Sequence, residues 1–185
     1  MLIFITGGVR SGKSSFAEKL ALELAEKGDN ELHYLATCEP YDDEMLARIK
    51  KHQVDRSISI RNWQTWEQPT GLHQLVNQFT KNDIVLIDCL TTLLGNELFS
   101  DGCWLDHRSV NQLICRLTDT FETYKESTKV TIIVSNEIFN EGVPTDLGSR
   151  LYMKQLGLLH QFLTKIADKA YLLESGIVRV MKEGP

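Results

Sequence analysis

Eight residues carry the spacing that chemistry on a nucleotide would need. Gly7-Gly8-Val9-Arg10-Ser11-Gly12-Lys13-Ser14 fits G-x-x-x-x-G-K-[ST], the pattern of a phosphate-binding loop. Gly7 and Gly12 let the backbone fold back and aim successive N–H groups at phosphate oxygens. Lys13 brings a mobile full charge to the β- and γ-phosphates, and Ser14 brings a hydroxyl for Mg²⁺. Arg10 is a second cation in the loop, and the spacing leaves open whether it meets phosphate or solvent. The next candidate is Asp88, which ends the apolar run Ile84-Val85-Leu86-Ile87. An apolar strand closed by a carboxylate is how nucleotide-binding folds organise Mg²⁺. Many strands end in Asp, so Asp88 gains its weight from the loop upstream. Ser135-Asn136-Glu137 closes another apolar run, Val130 to Val134, in the same way.

These residues need elements to hold them. Leu2 to Ile5 reads as a buried strand that runs straight into the loop. Phe16, Leu20 and Leu24, with Ala17 and Ala21 alongside, make the following stretch an amphipathic helix, capped near Gly28. Leu32 to Thr37 reads as a second strand. Asp42-Asp43-Glu44 opens a helix on which Met45, Ile49 and His52 share a face, with Arg48 at its edge. Ile58 to Trp66 reads as an extended or edge segment. Leu72, Leu75, Val76 and Phe79 restore helical spacing, and residues 98–105 read as a loop. A long helix is marked by Val110 through Tyr124 and another by Leu147 through Ile166. Residues 170–174 and 177–181 flank Ser175-Gly176 as a terminal hairpin. Alternating strands and helices predict an α/β domain over residues 1–185, with a phosphate-loop NTPase-like, mainly parallel sheet. Helices flank both its faces, and an antiparallel hairpin ends it. Right-handed crossovers would bring residues 7–14, 37–39, 88–92 and 135–137 to one edge.

Composition narrows the partners. At 185 residues the chain can bury roughly 70% of its unfolded surface as one domain. Its net charge is -5 and its Lys and Arg are dispersed, which disfavours a nucleic-acid partner. No apolar run reaches membrane-spanning length, and the apolar start is too short for a signal peptide. Cytoplasmic residence is expected. Cys38, Cys89, Cys103 and Cys115 lack C-x-x-C pairing and sit in or near apolar segments, so reduced, mostly buried thiols are expected. No Cys/His cluster has zinc-ligand spacing.

Four stretches together resemble one family. They are Ile5-Thr6 with the loop 7–14, and Tyr34-Leu35-Ala36-Thr37 followed by Asp42 to Met45, Arg48-Ile49 and His52. With them go Leu86-Ile87-Asp88-Cys89-Leu90-Thr91, and Val134-Ser135-Asn136-Glu137 ahead of Val143-Pro144. The chain is similar to the bifunctional adenosylcobinamide kinase / adenosylcobinamide-phosphate guanylyltransferases of cobalamin biosynthesis, nearly end to end. The resemblance implies two reactions. A nucleoside triphosphate phosphorylates the aminopropanol hydroxyl of adenosylcobinamide. GMP from GTP then passes through a histidine to the substrate phosphate. It implies His52 as the guanylylated residue and Lys13 as a catalytic cation. It further implies nucleotide contacts at 7–14, Ala36, Thr37, Cys38, Gln53, Val54, Asp55, Arg56, Glu67 and Asp88, and a homotrimer. Mg²⁺ on Ser14 and Asp88 would serve the transferred phosphates. ATP and GTP both remain open for the kinase step. The chain departs from the family at Ile138-Phe139-Asn140-Glu141-Gly142, where a glycine-rich run is usual, at His160, where Asn is usual, and at Arg179 and Met181 in the last strand.

Two other readings stay beside this one: a monofunctional kinase or guanylyltransferase on a related small molecule, and a nucleotide-dependent switch. Guanine-reading switches usually carry an N-K-x-D-type motif, and the sequence has none.

Overall fold

The structure is a computed structural model and describes residues 1–25, 30–38 and 62–184. Seven strands form a single sheet in the order β3-β2-β4-β5-β1-β6-β7. They are β1 (Leu2–Gly7), β2 (Leu32–Ala36), β3 (Trp63–Glu67), β4 (Ile84–Asp88), β5 (Val130–Asn136), β6 (Lys169–Glu174) and β7 (Ile177–Lys182). All pairings are parallel except β6 with β7, the expected terminal hairpin. The central strands are near-continuous apolar runs because both their faces are covered.

Helix α1 (Lys13–Ala25) lies on one face. Ala17, Ala21 and Ala25, four residues apart and fully buried, form the contact stripe, so the helix axis can approach the strands closely. Phe16, Leu20 and Leu24 fill the flanks and remain partly exposed. The other face carries α2 (Leu90–Phe99), α3 (His107–Ser127) and α4 (Leu147–Ile166). On α3 the buried Val110, Leu113, Leu117, Phe121 and Tyr124 recur at three- and four-residue spacing against the sheet. Asp106 and Asp146 cap α3 and α4 by accepting from the Ser109 and Ser149 amides, at 2.9 and 2.7 Å.

Some expectations are corrected. Residues 72–79 form two 3₁₀ turns, Leu72–Gln74 and Val76–Gln78, rather than a helix. Left-handed Gly71 (φ 69°) precedes them and a Thr80–Asp83 turn follows, so the segment is too short to repay helix nucleation. It still buries Leu72, Val76 and Phe79. Residues 90–99, read without a helix, are α2. Burial of Leu90, Thr91, Leu93, Leu94, Glu97 and Leu98 removes the polar–apolar contrast that marks a surface helix. Residues 100–105 continue as 3₁₀ rather than open loop. The cysteines are not mostly buried: Cys115 is exposed and the other three are partly so. An apolar neighbour in sequence does not place a residue on the buried face. Ile114 packs on the core, while Cys115, about 100° further round α3, faces outward. The expected helix from Asp42 through His52, the cap at Gly28 and the segment 58–61 lie outside the described residues. Among the described residues no helix is long and apolar enough to cross a membrane.

Candidate nucleotide-binding site

Strand register assembles the site's floor. Glu67 pairs with Ala36, Ala36 with Asp88, and Asn136 with Gly7, so strand ends from β3 to β1 lie along one edge of the sheet. The phosphate loop rises from that edge. Arg10 (φ 59°) and Gly12 (φ 91°) are left-handed, and such alternation of hand directs successive N–H groups into one concavity. Gly7 is required for a different reason: a Cβ there would run into the Leu173 carbonyl of β6. The Glu137 amide donates to the Gly7 carbonyl at 2.8 Å, tying the end of β5 to the loop.

Lys13 opens α1 and is only 6% exposed. Its ammonium lies 2.6 Å from the Gly8 carbonyl and 3.3 Å from Ser11 Oγ, so the charge is held across the mouth of the loop. Ser14, the next residue, is half-buried, whereas Val9, Arg10 and Gly12 are exposed. Both the helix N-terminus and the inward amides favour an anion at this point.

Asp88 lies on the α1 face of the sheet, since side chains alternate along β4 and Ile84 and Leu86 pack under α1. Tyr34, two residues before Ala36 on the same face, donates its hydroxyl to Asp88 Oδ2 at 2.8 Å. Thr37 is fully buried and joins β2 to β4. Its amide donates to the Asp88 carbonyl, and its hydroxyl both donates to the Cys89 carbonyl (2.8 Å) and accepts from the Cys89 amide (2.7 Å). Burial, then the neighbouring Asp88 carboxylate, pushes the Cys89 thiol pKa up and keeps it protonated.

Helix α2 links the remaining strand ends. Asn136 donates to Thr91 Oγ1 (3.0 Å), Tyr152 of α4 donates to the Thr91 carbonyl (2.9 Å), and Asn96 donates to the carbonyls of Thr37 (2.9 Å) and Pro69 (3.1 Å). The structure therefore brings 7–14, 36–38, 67, 88 and 136–137 to one edge. Cys38 is partly exposed there, and Glu67 is exposed. His52, Gln53, Val54, Asp55 and Arg56 lie outside the described residues. Tyr34 and Asn96 are positioning residues that sequence reasoning passed over. The available signals were a phenol in a buried strand two residues before a site residue, and an amide in an otherwise leucine-rich segment.

Hard oxygen donors suit Mg²⁺, and Ser14 with Asp88 supplies a hydroxyl and a carboxylate on the side of the sheet where α1 begins. Tyr34 fixes the carboxylate by its hydrogen bond, the arrangement that would orient a ligand were a metal bound there.

Comparison with known proteins agrees with this geometry. The family model described as cobinamide kinase / cobinamide phosphate guanyltransferase matches residues 3–181. The bifunctional adenosylcobalamin biosynthesis protein CobU of Escherichia coli K12 is 32% identical over 96% of this chain and 97% of its own. CobP of Pseudomonas aeruginosa, described in the same words, is 33% identical over 98% and 97%. Among solved structures, the ATPase domain of G40P superposes with a TM-score of 0.56 at 14% identity, covering 100% of this chain and 78% of that one. The flagellar accessory protein FlaH of Methanocaldococcus jannaschii gives 0.56 at 15%, covering 99% and 78%. These two likenesses concern the fold alone. With the family match nearly end to end and relatives above 30% identity over 97% of their length, the chain belongs to the cobinamide kinase / cobinamide phosphate guanyltransferase family.

Proposed function

We propose that this chain, one domain over residues 1–185, phosphorylates adenosylcobinamide from GTP or ATP. It then transfers GMP from GTP to adenosylcobinamide phosphate through a guanylyl-histidine at His52. The observation that carries the reading is the phosphate loop at the head of α1, with Lys13 held across its mouth, in a chain of this family. Phosphoryl transfer to a hydroxyl is mostly positioning and charge neutralisation. Loop amides would bind the triphosphate, and Lys13 would leave the Gly8 carbonyl for the β- and γ-oxygens. Ser14 and Asp88 would hold Mg²⁺, which when bound neutralises phosphate charge. Thr37, Cys38 and Glu67 line the same edge and would meet the remainder of the nucleotide.

For the second reaction, neutral imidazole at position 52 attacks the α-phosphorus of GTP and pyrophosphate leaves. The terminal phosphate oxygen of adenosylcobinamide phosphate then attacks the phosphorus of the guanylyl-histidine and restores the imidazole. Gln53 to Arg56 and Arg48 would help hold the nucleotide. The protein works in the cytoplasm, as a trimer, without nucleic acid. Incubation with adenosylcobinamide and GTP, resolved by mass spectrometry, tests the reading. It expects the phosphate first and the GDP-linked corrinoid second. Nucleotide binding with neither product would contradict it and favour a switch.

A further inference from the structure

At the opposite end of β2 and β4 from the phosphate loop, three side chains converge. His33 lies on the face covered by α2, α3 and α4, packed against Phe79 and only 3% exposed. Its Nδ1 accepts from Trp66 Nε1–H at 3.3 Å. Its Nε2 is buried and has no hydrogen-bond partner among the described residues. Two carboxylate oxygens flank that nitrogen, Glu31 Oε2 and Asp83 Oδ1, each at 3.8 Å. Asp83 commits its other oxygen to the Thr80 amide and hydroxyl, at 2.6 and 3.0 Å, so the carboxylate is fixed with Oδ1 toward His33. The three donor atoms all lie within 4.8 Å of one another.

An unpartnered buried nitrogen is costly, and two carboxylates beside it attract a cation. We propose that Glu31, His33 and Asp83 form a structural site for a divalent transition metal, Zn²⁺ in the first instance, at the foot of the β2–β4 pair. One imidazole and two carboxylates favour such a metal over the oxygen-seeking Mg²⁺ and Ca²⁺. Tetrahedral Zn²⁺ sets its ligands roughly 3.3 Å apart, so the donors need only close in. Glu31, with 66% of its side chain exposed, can make most of that movement and leaves room for a water as fourth ligand. Donation from Trp66 assigns the metal-free ring's proton to Nε2. On binding, the metal takes the Nε2 lone pair, the proton moves to Nδ1, and half-buried Trp66 must turn away. Trp66 is thus a reporter of occupancy. The ligands lie at the starts of β2 and β4, His33 and Asp83 being 50 residues apart in the chain, which is why no zinc spacing shows in the sequence. Nothing here depends on the nucleotide chemistry at the other edge.

The test is a Zn²⁺ titration of the metal-stripped full-length protein without nucleotide, read by calorimetry, thermal unfolding and tryptophan emission. One equivalent should bind, raise Tm, and shift an emission that is lost in Trp66→Phe. Exposed Glu31→Gln, which leaves the fold alone, should weaken binding at least tenfold, and His33→Gln a hundredfold or more. A Co²⁺ spectrum should show nitrogen and oxygen ligation without a thiolate band. Absence of stoichiometric binding overturns the site. So does binding unchanged in Glu31→Gln, or a thiolate spectrum that moves the metal to the cysteines.

Discussion

Lys13 and His160 illustrate how single side chains are set by their surroundings. The Lys13 ammonium is held on the Gly8 carbonyl, 2.6 Å away, so on the proposed reading a phosphate in the loop would take it over without a search for the rotamer. If the Lys13 side chain stabilises developing charge as proposed, Lys13→Ala should lower phosphorylation of adenosylcobinamide by at least a hundredfold, with the circular dichroism spectrum unchanged. His160 packs edge-on against Phe4 and Phe139 and shares a 2.7 Å hydrogen bond with Ser135, beside Asn136. Burial holds its pKa down to about 4 from the usual 6.5. The unfolded chain therefore takes up a proton in the window between those values while the native ring does not. Stability is full above pH 6.5 and falls as the pH drops toward 4, by up to about 3 kcal/mol. Urea unfolding across that window should show the loss, and His160→Asn, which can still bond Ser135, should flatten it.

Among the elements, α2 does more than its length suggests. Glu97 is 8% exposed and spends one oxygen on the Gly71 amide and the other on Arg116, both at 2.7 Å. With Asn96 it clamps residues 68–71, the segment after Glu67, to the end of β2. Arg116 is 46% exposed, so the pair is partly screened. Glu97→Ala should still cost about 2 kcal/mol, mostly from the unsatisfied Gly71 amide, and Glu97→Gln roughly half of that. Chemical denaturation would measure both. The sequence made some elements plain and hid others for physical reasons. The period of α3 and α4, the phosphate loop and the Ser175-Gly176 hairpin were legible because each is a local pattern. Helix α2 was not, since burial on several sides erased its period, and neither was Tyr34, whose partner Asp88 lies 54 residues away. The Glu31–His33–Asp83 cluster was hidden likewise, because only strand pairing joins its members.

A parallel sheet delivers strand ends to one edge, and that edge carries the phosphate loop together with Ala36, Thr37, Cys38, Glu67 and Asp88. The convergence follows from β2, β4, β5 and β1 being parallel neighbours, an arrangement that alternating strands and helices already imply. Family membership supplies the acceptor class, which the sheet cannot. If a trimer completes the site, light scattering should find three chains per particle, and dilution to monomer should lower guanylyl transfer. On the proposed reading one phosphate loop serves a guanylyl-histidine as well as a kinase. The most direct measurement incubates the protein with GTP labelled at the α-phosphate and maps any label that survives base but not acid. One labelled peptide is expected, modified at His52 and absent in His52→Ala, while that variant still phosphorylates adenosylcobinamide. Label at another residue, or undiminished label in His52→Ala, would contradict it.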